Sequence, residues 1–187
     1  MRRSHRVLLV LLVCLIAGSA AYWWRRDWLE KSQDVPIRAA AQRYGVEPAL
    51  VKAVVWRESR FNPKVRGRAH EIGLMQLREA AAQEWADAEH ITGFAHEHCF
   101  DPTTNTLAGT WYLGKLLKRY IQTDNPIPYA LADYNAGRGN VLKWNKGPGA
   151  TNSTEFFAQI GFPGTKEYVR SVMRRCEKYR GVFKLEP

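Results

Sequence analysis

The sequence predicts an all-α domain preceded by an apolar N-terminal segment. Three observations carry that expectation: apolar residues recur at helical spacing, proline and glycine fall where helices start and stop, and no alternating run is longer than a few residues. With 187 residues, 45% apolar and 25% charged, the chain is long enough for one compact domain plus a short extra piece.

The extra piece comes first. Val7 to Trp24 reads VLLVLLVCLIAGSAAYWW, without a charge, after Arg2, Arg3, His5 and Arg6. Trp23 and Trp24 followed by Arg25 and Arg26 resemble an interfacial belt, which suits a retained membrane anchor. Gly18-Ser19-Ala20-Ala21 supplies the small residues of a cleavable signal, so secretion is the alternative. Val13 stands where a lipid-anchor box before Cys14 needs a small residue, which argues against lipidation. Residues 1–33 are therefore read as basic residues, membrane segment and polar juncture, and 34–187 as the domain.

In the domain, Asp34 is placed to cap a first helix, with Pro36 in its opening turn, Ile37, Ala40, Ala41 and Tyr44 on one stripe, and Gly45 at its end. A second helix starts near Pro48, carries Leu50, Val51, Val54 and Val55, and stops before Pro63. Lys64 to Ala69 is a basic loop, and Gly73 to Trp85 reads helical after its first residues. Asp101-Pro102 opens a longer helix with Asn105, Gly109, Tyr112, Leu116 and Tyr120 inward. Pro128 opens a short helix ending near Gly137, and Thr165 is placed to cap a last one running to Tyr179, stopped by Gly181.

Charge narrows the partners. The formal net charge is +10, but five of the 28 basic residues flank the apolar run, leaving 23 against 18 acidic residues. That excess is spread along the chain, which argues against nucleic acid and fits an anionic surface or polymer. If the domain is exported, Cys99 and Cys176 can pair as a disulfide; otherwise they are two buried thiols. His96, His98 and Cys99, with His90 upstream, fit no usual zinc spacing, and neither metal nor cofactor is expected.

Glu58 is the candidate for chemistry. It lies seven residues after Val51, on the face of Val51, Val54 and Val55, so its carboxyl points inward at the last turn of its helix. Burial and the helix C-terminus both disfavour the charged form, which suits a general acid. Pairing with Arg57 or Arg60 at the surface is the plainer alternative.

Several stretches resemble the catalytic domain of the soluble-type lytic transglycosylases, relatives of goose-type lysozyme. PALVKAVVWRESRFNPKV (48–65) is similar to the family's catalytic helix with its Glu-Ser pair at Glu58-Ser59, and GLMQL (73–77) to its second motif. CFDPTTNTLAGTWYLGKLL (99–117), ALADYNAGRGNV (130–141) and PGTKEYVRSV (163–172) resemble later ones. The sequence departs from the pattern at His70-Glu71, at REAAA after GLMQL, at Asp133 and at Gly164.

The resemblance implies a lysozyme-like helical fold acting on peptidoglycan glycan strands. Glu58 would protonate the β-1,4 oxygen leaving N-acetylmuramic acid, then serve as base while that sugar's C6 hydroxyl closes a 1,6-anhydro ring. Tyr134 would orient Glu58 as the second catalytic residue. Ser59, Met75, Gln76, Asn105, Asn135 and Tyr168 would bind substrate or line the cleft. Two alternatives stay open: a hydrolytic muramidase using Glu71 or Asp133 as a second carboxylate, and a non-catalytic wall-binding module of an envelope or secretion machine. The expected location is the bacterial inner membrane, with the domain on the periplasmic, extracytoplasmic side, or a secreted domain if the segment is cleaved.

Overall fold

The computed structural model describes residues 3–181 and Phe183. Helix α1, Arg3–Ser32, runs unbroken through the apolar segment and on through the stretch expected to be a polar juncture. A helix satisfies its own backbone hydrogen bonds, so charged residues after Trp24 need not interrupt it. Its apolar side chains from Val7 to Trp24 are exposed, and α1 is long and apolar enough to cross a membrane.

After a turn at Gln33, α2 spans Asp34–Tyr44 and buries Ile37, Ala40 and Ala41. Asp34 does not cap it. Its carboxylate sits inside the first turn and accepts from the buried Lys52 Nζ at 2.6 Å, and the pull of that ammonium outweighs a backbone cap. Gly45 takes the left-handed conformation, φ 63°, that closes α2.

Helix α3, Pro48–Ser59, is the central element. Residues from Ala49 to Val55 are buried on every side, as in a helix surrounded by protein. It ends earlier than Pro63 because Arg60 and Phe61 turn to positive φ, 53° and 64°. Residues 60–78 form a compact loop with two isolated bridges, Arg66 to Ile72 and Ile72 to Leu77, and helix resumes only with α4, Glu79–Ala88.

A 3-10 turn, His96–Phe100, leads into α5, Pro102–Arg119, capped as expected by Asp101, whose Oδ1 accepts from the Thr104 amide at 2.8 Å. Helix α6, Pro126–Ala136, starts two residues before Pro128 because Asn125 supplies the cap, accepting from the Ile127 amide at 3.1 Å. Two short helices have no counterpart in the sequence reading: α7, Arg138–Trp144, and α8, Ser153–Gln159. Helix α9, Pro163–Arg180, places Thr165 inside its first turn, where its hydroxyl donates to Asn135 Oδ1 instead of capping.

Helix α9 packs along α3, while α5 packs against α2 and α6. Cys99 and Cys176 are buried free thiols on separate elements, the 3-10 turn and α9, so the disulfide alternative is not realised. Burial pushes the Cys99 thiol up to about 12 and the Cys176 thiol to about 11, which leaves both inert. The rings suggested as zinc ligands are engaged locally, His96 Nε2 with the Leu77 carbonyl and His98 Nδ1 with the Ala95 amide.

Candidate active site

Glu58 lies in the last turn of α3, where that helix leaves the core and meets an open cleft of about 350 Å³. Glu71, Gln76, Tyr112, Asp133, Tyr134 and Asn135 share the walls. The end of α3, the 60–78 loop, α4, α5 and the end of α6 meet there; α9 backs α3, and the loop is pinned to α5. The pin is Asn105, fully buried: its Oδ1 accepts from the Met75 amide at 2.7 Å, and its Nδ2 donates to the Ile72 and Cys99 carbonyls at 3.0 and 2.8 Å. Gly73, at φ 79°, passes so close that an added Cβ would overlap the Asn105 amide and the Cys99 carbonyl.

The group that holds Glu58 is Tyr168, not Tyr134. Tyr168 Oη on α9 donates to Glu58 Oε1 at 2.6 Å. Tyr134 reaches the same cleft, edge-on to Tyr112, but its hydroxyl donates to the Met75 carbonyl at 2.7 Å. A buried donor takes the acceptor its ring angle allows, and here that is a backbone carbonyl of the pinned loop. Burial, then the Glu58 charge, push both hydroxyls well above the ordinary tyrosine range, so both remain donors at working pH.

Burial likewise raises the Glu58 carboxyl, to about 7, against the opposing pull of the Tyr168 hydrogen bond and the Arg57 charge; the Glu71 charge adds to the rise. Among the described residues Oε2 has no hydrogen-bond partner, which makes it the oxygen able to present a proton to the cleft.

The two other carboxylates of the cleft are committed. Asp133, buried, accepts from Arg119 Nη1 at 2.6 Å and Tyr120 Oη at 2.7 Å. Glu71 accepts from the Ala69 amide at 3.0 Å and from Arg78 at 3.1 Å. Burial works against its charge, but these hydrogen bonds and Arg78 prevail and hold its carboxyl below the usual range. Both are held in ion pairs.

Of the residues expected to bind substrate, Gln76 and Asn135 line the cleft. Gln76, at φ 47°, donates its Nε2 to the Val65 and Gly73 carbonyls, at 3.1 and 2.9 Å. Asn135 accepts from Thr165 Oγ1 at 2.8 Å, which turns its Nδ2 into the free donor. The structure removes Ser59, Met75 and Asn105 from the cleft. Ser59 Oγ bonds back to the Val55 carbonyl at 3.2 Å on another face of α3, because successive helical residues point about 100° apart. The Met75 side chain is fully buried against Gly109, and Asn105 is spent on the loop. Tyr168 is buried behind Glu58.

Against known families, residues 35–157 match the model described as the transglycosylase SLT domain. The chain belongs to this transglycosylase SLT family. A relative in Yersinia pestis (strain Pestoides F), named membrane-bound lytic murein transglycosylase C, is 37% identical over 115 residues, 57% of this chain and 32% of that protein. The chain thus spans about a third of the length of the curated relatives it matches. The 70-kDa soluble lytic transglycosylase of Escherichia coli superposes with a TM-score of 0.71 at 26% identity, over 87% of this chain and 29% of that one. The lytic transglycosylase Slt of Pseudomonas aeruginosa, solved as an inactive glutamate-to-glutamine mutant, gives 0.71 at 24% identity, over 79% and 24%. The SLT match ends before α9, so Tyr168, the partner of Glu58, lies outside it. The sequence signal for Tyr168 was its place in PGTKEYVRSV (163–172), and the structure puts it with Thr165, Val169 and Val172 on the stripe that α9 buries.

Proposed function

We propose that the chain is a peptidoglycan lytic transglycosylase in which Glu58 acts first as acid and then as base. The observation that carries this reading is the Glu58 carboxyl at the wall of a cleft, held through Oε1 by Tyr168, where burial pushes its pKa up to about 7. A group titrating there holds enough protons to give one to the glycosidic oxygen at neutral pH and is basic enough afterwards to take one back. With Glu71 and Asp133 tied in ion pairs, the cleft has one working carboxyl. One carboxyl suffices when the nucleophile is the C6 hydroxyl of N-acetylmuramic acid, already tethered to the reacting sugar. Protonation by Glu58 Oε2 frees the 4-hydroxyl of the next N-acetylglucosamine. The resulting carboxylate, steadied by the Tyr168 hydroxyl, takes the C6 proton as that oxygen closes on C1. Gln76 Oε1 and Asn135 Nδ2 are the groups left free to hold acetamido and hydroxyl groups of the strand.

We further read α1 as a retained membrane anchor, with the domain on the periplasmic side, where its substrate lies; a membrane-bound relative and the exposed apolar face support this. Mass spectrometry of digested peptidoglycan is the test. Chains ending in 1,6-anhydro-N-acetylmuramic acid are expected, and Glu58→Gln should cut their release by at least about a hundredfold with the fold intact. Products heavier by one water would assign the hydrolytic reaction instead, and near-normal turnover in the variant would remove Glu58 as the acid.

A further inference from the structure

A second concavity, of about 470 Å³, lies between α1 and the domain, away from the cleft. Its α1 wall is Tyr22, Arg25, Arg26 and Leu29, spaced to fall on one helical face. The facing wall is Trp56 and Arg60 at the end of α3, with Arg175 of α9. Arg60 and Arg175 flank the Trp56 indole, with guanidinium carbons 3.6 and 4.1 Å from the ring centroid. No acidic residue lines the groove, and none of its four arginines joins an ion pair among the described residues. Asp27, next to them in sequence, is paired with Lys31 at 2.9 Å.

Gathering four guanidiniums with no carboxylate among the groove's lining residues, Glu30 of α1 acting instead on Tyr179, is unfavourable. Arg60 registers it: desolvation, then the charges of Arg57, Arg26 and Arg175, lower its pKa. Such a cluster is complete only with an anion, and the planar donors of arginine match phosphate oxygens. Its position identifies the source. The exposed apolar run ends at Tyr22, Trp23 and Trp24, and the groove starts at Tyr22 on that edge and carries Arg25, Arg26 and Leu29 over the next two turns. From Trp24 to Leu29 a helix rises about 7 Å, which is the depth of the headgroup layer beyond the hydrocarbon.

We propose that this groove binds the phosphate headgroup of an anionic phospholipid in the membrane that α1 spans, using Arg25, Arg26, Arg60 and Arg175 with Trp56 as a platform. This rests on the reading of α1 as a retained anchor but not on the catalytic assignment. Bound there, a lipid ties the last turn of α3, which carries Glu58, to the membrane surface and fixes how the domain stands over it.

The test uses the full chain in lipid nanodiscs, following hydrogen exchange of the α3 C-terminus and the Arg60–Asn62 turn. Discs with roughly a third phosphatidylglycerol in phosphatidylcholine should slow exchange there by about tenfold relative to phosphatidylcholine alone, since an anionic surface attracts basic residues held beside it. Arg60→Gln with Arg175→Gln should abolish the difference. So should Arg25→Gln with Arg26→Gln, which lies on α1 outside the domain and leaves its fold untouched. Three outcomes would overturn the proposal: equal protection in the two lipids, an equal loss on changing the exposed Lys143 and Lys146 to Gln, or full protection by inorganic phosphate in phosphatidylcholine discs. The first denies headgroup selectivity, the second makes it a net-charge effect, and the third makes it a free-anion site. Failure to enter nanodiscs at all would sink the anchor reading itself, so the two failures are distinguishable.

Discussion

Glu58 joins two energetic facts that pull apart with pH. Its folded-state pKa is raised from 4.5 to about 7, so the neutral form is the one the fold favours. The stability contributed by that preference is fully present below about pH 4.5 and is lost as pH rises through 7. Glu58→Gln cannot ionise, so urea melts should show the variant equal to the parent near pH 4 but more stable at pH 8, by about 1 to 3 kcal/mol. Activity should fall over the same alkaline range, because the acid is deprotonated. Tyr168→Phe probes the partner. Losing a hydrogen bond that favours the carboxylate raises the Glu58 pKa further, so the alkaline limb of the pH–rate profile should move to higher pH while turnover falls roughly ten- to a hundredfold. Tyr134→Phe should leave that limb in place, since its hydroxyl serves the Met75 carbonyl. A displaced limb in Tyr134→Phe with none in Tyr168→Phe would exchange the two roles. The inward face of Glu58 was legible in the spacing from Val51; which tyrosine holds it was not, because the choice between two hydroxyls is made by α9 packing on α3, across 110 residues of sequence.

At the level of elements, the helices with strong local signals were legible: α3 from its proline start and apolar run, α5 from Asp101-Pro102, α2 from its glycine stop. The exceptions have local causes. Asp34 was drawn from capping by a lysine on another helix, and α7 and α8 span only seven residues each, too few for a periodic pattern. The 60–78 loop is the element on which the cleft depends, and it has little regular structure of its own, so Asn105 substitutes for a ladder of backbone bonds. Asn105→Ala should therefore destabilise the domain by about 2 to 4 kcal/mol, since it strands the Met75 amide and two carbonyls in the core. It should also depress turnover in the molecules that remain folded, because Gln76 and the carbonyl that receives Tyr134 move with the loop. A chemical denaturation curve with unchanged midpoint would show that the loop is held by its packing alone.

Over the whole molecule, the domain and α1 are unequal partners. Helix α1 meets the core mainly through Leu29 near its end, with Gln33 buried at the turn, whereas the domain closes its own core around α3. The attachment is therefore a matter of address more than of folding. Removing residues 1–33 should leave a soluble domain whose melting temperature lies within about 5 °C of the full chain's, because the buried apolar area lost is small against the whole core. Anhydro-product release from soluble glycan fragments should be unchanged, since Glu58, Tyr168 and the cleft walls all lie after residue 33. If α1 is the anchor proposed above, the full chain should be faster on intact sacculi presented beside a membrane, because anchoring would raise its local concentration at the wall. Equal rates there would mean that α1 is dispensable for reaching the wall, and a shortened chain unable to fold would mean that the Leu29 and Gln33 contacts belong to the core.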